Sequence, residues 1–420
     1  MTAPWGRQGL TTRCRRAILA AVAVAASLVA VGNSRAAVQP GDCAWFTKAD
    51  PDKVNIAWPD EGAQYWAANF AIPPGVDMQI SGRFPLARYM SFHIYEGSVP
   101  IDSITDYQIA PSVGRNPFLR HAVRADRGTY TIHVVAAAPP STMSARKPNT
   151  LYAGRGLNGE PMVTGIVLYR IYLPDHDPQG SAPLPQVSYV VGGQGADVRV
   201  PLSCSMVRDS DNSGSANEAV KQASWPLPAP GIAAQPPTWG LARSGKTANQ
   251  VGPETVYTGN PFFANFDNTY LSLLVGRNTA DLVAVRGKAP TFPDTADAKV
   301  MGTGQVRYWS ICSNDFPTTR YVACLADRNV KLDPDGDFTV VVSDPQHKPS
   351  LGPYDNWLPA GPYEDYFLLY RHMLPDPSFT GAIQRVPDAQ HIASSMGVYF
   401  PTPVACSTAQ FDKDRCGLPG

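Results

Sequence analysis

The sequence lacks an excess of charge of either sign. Among its 420 residues, 35 lysines and arginines balance 35 aspartates and glutamates, and charged residues make up only 17% of the chain. Without a net field of one sign, long-range attraction to nucleic acid or to an anionic lipid surface has little physical basis. We therefore predict no nucleic-acid partner.

Apolar runs long enough to cross a membrane are also missing from the body of the chain. The run at 17–31 follows a cluster of arginines within 13–16 and precedes Ser34-Arg35-Ala36, a pattern that signal peptidases accept. We interpret residues 1–36 as a cleaved export signal, which leaves a secreted protein with no transmembrane segment. A retained anchor is the alternative, although the run is shorter than the about 20 residues a spanning helix needs. The Arg15-Arg16 pair is compatible with twin-arginine export as well as with the general secretory route.

Cysteine spacings typical of zinc sites, such as Cys-x-x-Cys, do not occur, so we predict no metal site. Removing Cys14 with the signal leaves an even number of cysteines, as expected for disulfides formed in an oxidising compartment. We predict three disulfides, although spacing alone does not select their connectivity. The pairs we favour are Cys312–Cys324 across a hairpin, Cys406–Cys416 around a short tail, and Cys43–Cys204.

Motifs that fix a reaction are absent: there is no Gly-x-Ser-x-Gly and no His-Glu-x-x-His. Gly154–Gly159 fits Gly-x-Gly-x-x-Gly but precedes a strand, so a flexible loop is favoured over a dinucleotide site. Asp333–Asp337 contains three carboxylates, yet its Asp-Gly step favours a hairpin turn over a calcium loop. His93 and His133 could share a face and bind a metal, but hydrogen-bonded strand histidines are the simpler interpretation. We predict no cofactor.

What the sequence does contain is abundant proline (41) and glycine (35), with 10% aromatic residues. This composition is typical of short strands joined by tight turns, and it predicts an all-β protein. Length alone favours two domains.

An internal repeat supports that division. Leu168–Asp175 matches Leu369–Asp376 at six of eight positions. Further blocks recur in the same order: Tyr65–Pro85 with Tyr270–Pro290, Arg88–Ser91 with Arg307–Ser310, and Thr129–Val134 with Asp337–Val342. The repeat predicts two tandem β-sandwich domains, at 37–208 and 251–420, joined by a linker at 209–250 that is rich in serine, alanine and proline.

One part of the second copy resembles a known family. The segments Arg307–Ser310, Asp333–Val340, Asn356–Pro362, Tyr370-Arg371 and Leu374-Pro375 resemble the bacterial family catalogued as domain of unknown function 1214, over about residues 300–386. The resemblance implies a jelly-roll-like β-sandwich that often follows a second β domain, and it implies no established activity. In the first copy, Gly156–Glu160 falls opposite the Asn-Trp-Leu-Pro-Ala segment, which suggests that this copy has lost it.

Matching arginines form the first set of candidate site residues. Arg88 matches Arg307, Arg170 matches Arg371, and each lies in an apolar strand where an unpaired guanidinium would be costly. A salt bridge or a carbonyl clamp inside each sandwich would explain their presence in both copies. The alternative is a ligand site in which Arg307 and Arg371 bind a carboxylate or a phosphate.

Residues that differ between the copies form the second set. Asn356 and Trp357 could bind a sugar by hydrogen bonding and stacking, whereas a packed tryptophan beside a turn-forming asparagine is the structural alternative. Glu364, Asp365 and His372 are the candidates for acid–base catalysis.

The sequence thus predicts a secreted or envelope-associated protein that binds a polar small molecule or a glycan-like ligand. A hydrolase that uses carboxylates and a structural surface protein are the alternatives, since sandwich folds carry all three kinds of function.

Overall fold

The computed structural model describes residues 44–49, 57–156, 159–191, 198–199, 236–243, 263–315 and 320–418. These residues form nineteen strands in four sheets. The strands of the first half are β1 Thr47–Lys48, β2 Ala63–Ala71, β3 Val76–Arg83, β4 Ala87–Glu96, β5 Val99–Thr105, β6 Thr129–Val135, β7 Thr150–Tyr152, β8 Thr164–Pro174, β9 Gln186–Val191 and β10 Val198–Arg199.

The second half repeats this order. Its strands are β11 Gly240–Arg243, β12 Asn268–Gly276, β13 Leu282–Lys288, β14 Val306–Asp315, β15 Tyr321–Ala326, β16 Asp337–Ser343, β17 Asp355–Pro359, β18 Asp365–Pro375 and β19 Thr402–Cys406. Two α-helices follow late in the chain, α1 Ile392–Met396 and α2 Thr408–Asp414. Single 3-10 turns lie at Asp106–Gln108, Arg124–Asp126, Met143–Ala145, Asp327–Asn329, Pro345–His347, Ile383–Arg385, Ala389–His391, Gly397–Tyr399 and Arg415–Gly417.

Each half is a β-sandwich, and the two have the same topology. The sheet β1-β2-β8-β4-β5 corresponds to β11-β12-β18-β14-β15, and β9-β3-β6-β7 corresponds to β19-β13-β16-β17, with β10 added at the edge of the first. In both halves the pairing to the last strand, β6–β7 and β16–β17, is parallel. The all-β class and the two tandem sandwiches are therefore confirmed, while the jelly-roll description stays a prediction.

The central strands β4 and β14 are buried on both faces, because their sheet packs on the second sheet of its own sandwich and on the other domain. In β4, Phe92 and Ile94 point into the core of the first sandwich, whereas Tyr89 packs in a separate cluster shared with the second domain. In β14, Trp309 belongs to the core of the second sandwich and Tyr308 to the shared cluster. Alternate side chains of these strands thus face the core of their own sandwich and the other domain. In an isolated sandwich the second face would be exposed to solvent.

The predicted loss of the asparagine-containing segment from the first copy was wrong. Parallel pairing places Asn149 where Asn356 lies in the second copy, not Gly156–Glu160 as expected. In each copy the asparagine amide nitrogen donates to backbone carbonyls of the same two segments, and its oxygen accepts a backbone N–H from one of them. Gly154 and Gly361, which follow the two segments, both have positive φ. The alignment failed here because insertions change the spacing between the repeated strands.

The predicted linker ends too late in the chain. β11 pairs with β12, and the indole of the buried Trp239 donates to the carbonyl of Pro401, so this part of the expected linker belongs to the second domain. Strand pairing satisfies the backbone at 240–243 despite the polar composition around it. Residues 209–235 and the predicted signal at 1–36 lie outside the described residues.

Two of the predicted disulfides are present, Cys312–Cys324 and Cys406–Cys416. Cys43 and Cys204 lie outside the described residues. Disulfides of this kind fit an extracytoplasmic protein. In the described parts of the chain, the helices are all too short or too polar to cross a membrane.

Candidate functional site at the domain interface

The two sandwiches meet through one sheet each, and tyrosines fill the contact. Tyr89 and Tyr172 of the first domain pack with Tyr308 and Met373 of the second in one buried cluster. The rings of Tyr172 and Tyr308 cross edge to face, with centroids 5.3 Å apart. Aromatic packing of this kind stabilises an interface beyond its buried area.

Two ion pairs connect the domains reciprocally. Arg88 of the first domain donates two hydrogen bonds of 2.6 Å to the Asp327 carboxylate of the second. Arg307 of the second domain reaches the Asp106 carboxylate of the first at 3.3 Å. Arg88 and Arg307 are repeat counterparts, and each aspartate opens the 3-10 turn that follows its domain's edge strand. The pairs are therefore related as in a two-fold dimer, although both lie within one chain.

The carboxylates of Asp106 and Asp327 have similar electrostatic surroundings. Burial raises the pKa of Asp106 and of Asp327 to about 6, and the attraction of the partner arginine opposes this shift. Each carboxylate also accepts a backbone N–H from the strand that carries its own domain's arginine, Met90 in one case and Trp309 in the other. The desolvation penalty thus exceeds the stabilisation by the ion pair.

A third cross-domain contact centres on Asp60, which lies just before β2. Its carboxylate accepts hydrogen bonds from Tyr308 (2.9 Å), Ser310 (2.7 Å) and Arg371 (2.9 Å), all in the second domain. We call these four residues the Asp60 clamp. The four side chains are fully or almost fully buried, so the contact is shielded from solvent.

The other copy has a related set of contacts in which an asparagine replaces Asp60 and the carboxylate belongs to Asp267. Tyr89 donates to Asn265, which takes the position of Asp60, and to Asp267. Arg170, the counterpart of Arg371, donates to the hydroxyl of Tyr95 and to the carbonyl of Phe263. Both copies therefore contain the arginine, but the acceptors differ. Arg371 pairs with the Asp60 carboxylate, whereas Arg170 donates to a hydroxyl and a carbonyl.

These contacts correct one expectation about the arginines. We predicted that a salt bridge or carbonyl clamp would lie inside each sandwich, but the partners of Arg88, Arg307 and Arg371 lie in the opposite domain. The period-two pattern could not show this, because it identifies a second buried face without identifying what covers it.

One of the four arginines also borders a cavity. A cavity of about 130 Å³ lies where the domains meet, at the start of β14 and the end of β18. Its lining comprises Phe118, Arg120, Pro293, Met301, Gly302, Thr303, Gly304, Val306, Arg307, Leu374 and Asp376. Backbone hydrogen bonds between 121–124 and 299–301 join the two domains beside it.

The charged groups of this cavity are two arginines and one carboxylate. The Arg120 side chain is 63% exposed and lies 3.4 Å from Asp376, and Arg307 is mostly buried. The contacts of Arg307 with Asp106 and Phe118 are long, 3.3–3.4 Å, whereas Arg88 makes 2.6 Å bonds. Arg307 is thus less tightly held than its counterpart. Hydrogen bonds from Ser378 lower the pKa of Asp376, so this carboxylate stays ionised.

The other predicted ligand residues do not gather at this cavity. Asn356 is buried, with its amide committed to the backbone contacts described above. The Trp357 indole donates to Ser343, and the Lys348 ammonium lies 4.2 Å from its ring centroid. Arg371 lies in the Asp60 clamp. Of the four ligand candidates, only Arg307 lines the cavity.

The three catalytic candidates also lie apart from the cavity lining. His372 is fully buried, its Nε2 lies 2.8 Å from the Tyr370 hydroxyl, and burial lowers its pKa to about 3. Glu364 is exposed immediately before β18. Asp365 is half-buried, and burial together with Glu364 raises its pKa. The hydrolase interpretation stays a prediction.

The remaining motifs behave as loops and strands. Asp333–Asp337 forms a hydrogen-bonded turn whose carboxylates pair with Arg286, as the hairpin interpretation predicted. His93 and His133 lie in different sheets, so they do not share a face. Gly154–Gly159 lies between β7 and β8, with no helix after it.

Sequence reasoning missed the acidic and basic residues that meet these arginines and line the cavity, among them Asp60, Asp106, Arg120, Asp327 and Asp376. Asp376 is the last residue of the repeat block Leu369–Asp376. Asp106 and Asp327 directly follow corresponding edge strands in the two copies, but the insertions around them hid this correspondence.

No family model matches the chain, and no curated protein matches it. Among solved structures, the chain is similar to an uncharacterised protein from Burkholderia cenocepacia, with 15% identity, 88% of each chain covered and a TM-score of 0.44. It is also similar to the VPA0106 protein from Vibrio parahaemolyticus, with 11% identity, 93% of this chain and 98% of that chain covered, and a TM-score of 0.41. At these scores the similarities add no argument about function.

Proposed function

We propose that the protein is an exported binding protein whose interdomain cavity takes a small polar ligand with an anionic group. The observation that carries the proposal is the position of Arg307 and Arg120, one from each domain, on the same cavity. Guanidinium groups bind carboxylates and phosphates through paired N–H donors. Domain interfaces are also common places for ligand sites.

The cavity favours a ligand with a hydrogen-bond donor beside its anionic group. Asp376 remains ionised and accepts hydrogen bonds, so a hydroxyl or an amine next to the anion would complement it. The cavity volume of about 130 Å³ is below the usual range for drug-sized ligands, roughly 300–1,000 Å³. The site therefore suits a small hydroxy acid, an amino acid or the acidic end of a glycan.

A binding screen tests this proposal. Thermal shift followed by calorimetry should compare small hydroxy acids, amino acids and uronic acids with neutral sugars, because a ligand of the native state raises the melting temperature. We expect the anionic compounds to bind and the neutral sugars not to bind. Equal binding of neutral and anionic compounds would contradict the proposal.

Two variants and a matched control locate the site. Arg120→Ala removes an exposed guanidinium from the cavity and should weaken binding about tenfold, which corresponds to about 1.4 kcal/mol. Asp376→Asn should weaken binding only of ligands that carry the adjacent donor. Arg115→Ala removes another exposed arginine that does not line the cavity, and it should leave binding unchanged.

We also propose that residues 1–36 direct export and that residues 300–386 belong to the family catalogued as domain of unknown function 1214. The two disulfides support the extracytoplasmic location. Sequencing the N-terminus of the exported protein would test the first proposal, since cleavage is expected after Ala36.

A further inference from the structure

The Cys312–Cys324 disulfide lies against the Asp60 clamp. A guanidinium nitrogen of Arg371 is 3.6 Å from Cys312 Sγ, and the two sulfur atoms and an Asp60 oxygen lie within 4.8 Å of one another. The backbone N–H of Cys324 donates to the carboxylate of Glu61 in the first domain, at 2.9 Å. This disulfide therefore contacts the domain interface directly.

The first copy shows that the hairpin does not need this crosslink. Cys312 and Cys324 are directly opposite in the β14–β15 pair. The corresponding position in β4 is His93, and it lies opposite Ser103 in β5. The same strand pair thus forms without a disulfide, so the crosslink is an addition specific to the side on which the arginine, Arg371, pairs with a carboxylate.

The two sulfur atoms differ in access and in electrostatics. Cys312 is fully buried beside Arg371, whereas Cys324 is half-buried on the edge strand β15. A cavity of about 210 Å³, lined in part by Glu61 and Tyr321, lies next to the clamp. An incoming thiolate would therefore reach Cys324 first, and the leaving sulfur would be Cys312. A nearby arginine lowers the pKa of a thiol, and a leaving thiol of lower pKa departs faster.

We propose that Cys312–Cys324 is a reducible disulfide and that opening it loosens the Asp60 clamp. A thiolate of a small dithiol attacks Cys324 Sγ, the bond between the two cysteine sulfurs breaks, and its electron pair remains on Cys312. The second thiolate of the dithiol attacks the mixed disulfide and releases Cys324, whose thiolate takes a proton from water. The dithiol is oxidised to a disulfide, and the protein disulfide is reduced.

The Cys312 thiolate then competes with Asp60 for Arg371. In the oxidised protein, Arg371 faces one anion, the Asp60 carboxylate, which also accepts from Tyr308 and Ser310. After reduction, two anions share one guanidinium in a buried site, so the attraction between Asp60 and Arg371 falls. The weaker attraction between Asp60 and Arg371 is separate from the loss of the crosslink itself. It loosens a contact between the domains, because Asp60 belongs to the first domain and Arg371 to the second.

The first test asks whether a dithiol opens the bond in the folded protein. The full chain is treated with dithiothreitol under native conditions, alkylated and mapped by mass spectrometry. We expect alkylated Cys312 and Cys324. If the two are labelled only after denaturation, the proposal is wrong.

The second test measures the thiolate. Cys324→Ser leaves Cys312 as a thiol without a partner, and the double variant Cys312→Ala/Cys324→Ala provides the background. The difference in thiolate ultraviolet absorbance across pH gives the Cys312 pKa. We expect it below the ordinary value of about 8.5. A pKa at or above that value would mean that burial and Asp60 dominate, and it would overturn the proposal.

The third test separates the thiolate from the crosslink by hydrogen exchange of the amides at 60–65 in the first domain. We expect exchange there to rise several-fold in Cys324→Ser at pH 8.5, and to rise less in the double alanine variant, which has no thiolate. Cys406→Ser/Cys416→Ser, which removes a crosslink of similar span elsewhere in the second domain, is the control and should leave these amides unchanged. Equal exchange in Cys324→Ser and the double alanine variant would contradict the competition for Arg371.

Discussion

Replacing Arg88 by methionine should be among the most destabilising single changes at the interface. Arg88 and Asp327 have fully buried side chains and are joined by two 2.6 Å hydrogen bonds. Removing one partner of a buried pair typically costs about 3–5 kcal/mol, because the other charge stays buried without compensation. Burial already raises the pKa of Asp327 to about 6 with Arg88 present, so the Arg88→Met variant should bind a proton there at neutral pH.

The reciprocal pair provides a matched comparison. Arg307 is partly exposed, and its shortest distance to Asp106 is 3.3 Å, so Arg307→Met should cost less, about 1–3 kcal/mol. Urea unfolding followed by tryptophan fluorescence and circular dichroism measures both variants. Coincident transitions would show that the chain unfolds in one step.

A double-mutant cycle completes this test. In Arg88→Met/Asp327→Leu both charges are replaced by apolar groups, and such replacements of buried pairs are often neutral or stabilising. We expect most of the stability lost in Arg88→Met to return. A cost below about 1 kcal/mol for Arg88→Met, or additive costs in the double variant, would refute the cross-domain ion pair as described.

Three further predictions concern other parts of the molecule. His372 is buried and neutral, with its pKa lowered to about 3. Below about pH 6.5 the unfolded chain therefore binds a proton that the folded chain does not. In urea unfolding, the free energy of unfolding of wild type should fall by about 1.4 kcal/mol per pH unit below that pH, relative to His372→Asn. The pH dependence of stability due to Asp106 has the opposite sign, because its raised pKa means that the folded chain binds the proton first as pH falls. Wild type should therefore gain stability relative to Asp106→Asn between pH 7 and pH 4. A loss of stability over this range would contradict the raised pKa. Asn356→Ala and Asn149→Ala should each destabilise the folded protein by about 1–3 kcal/mol, with the larger loss at Asn356, which is more buried. Weakened ligand binding by Asn356→Ala at an unchanged melting temperature would show that Asn356 has a binding role instead.

The sequence repeat was enough to predict the sandwich pair. The block Leu168–Asp175 and its match Leu369–Asp376 coincide with β8 and β18, the central strands of corresponding sheets. The pairing of Cys312 with Cys324 also followed from the hairpin pattern. These features depend on local spacing and alternation, which a single sequence carries.

The domain interface could not be predicted in the same way. The sequence identified Arg307 and Arg371 as residues that need partners, but Asp106 and Asp60 lie far away along the chain and in the other domain. Alternation indicates that a strand has two buried faces without indicating which domain covers the second. The counterpart of Asn356 was misaligned for a different reason, because insertions changed the spacing between the repeated strands and hid the match with Asn149.

The central claim is that the two sandwiches form one unit through reciprocal contacts of their facing sheets. A specific protease site placed within 209–235, outside the described residues, allows the folded chain to be cut between its domains. Size-exclusion chromatography with light scattering then gives the mass of the product at micromolar concentration. Our account predicts a single species with the mass of the full chain, as for a permanent two-fold dimer. Two separate species of about half that mass would contradict it.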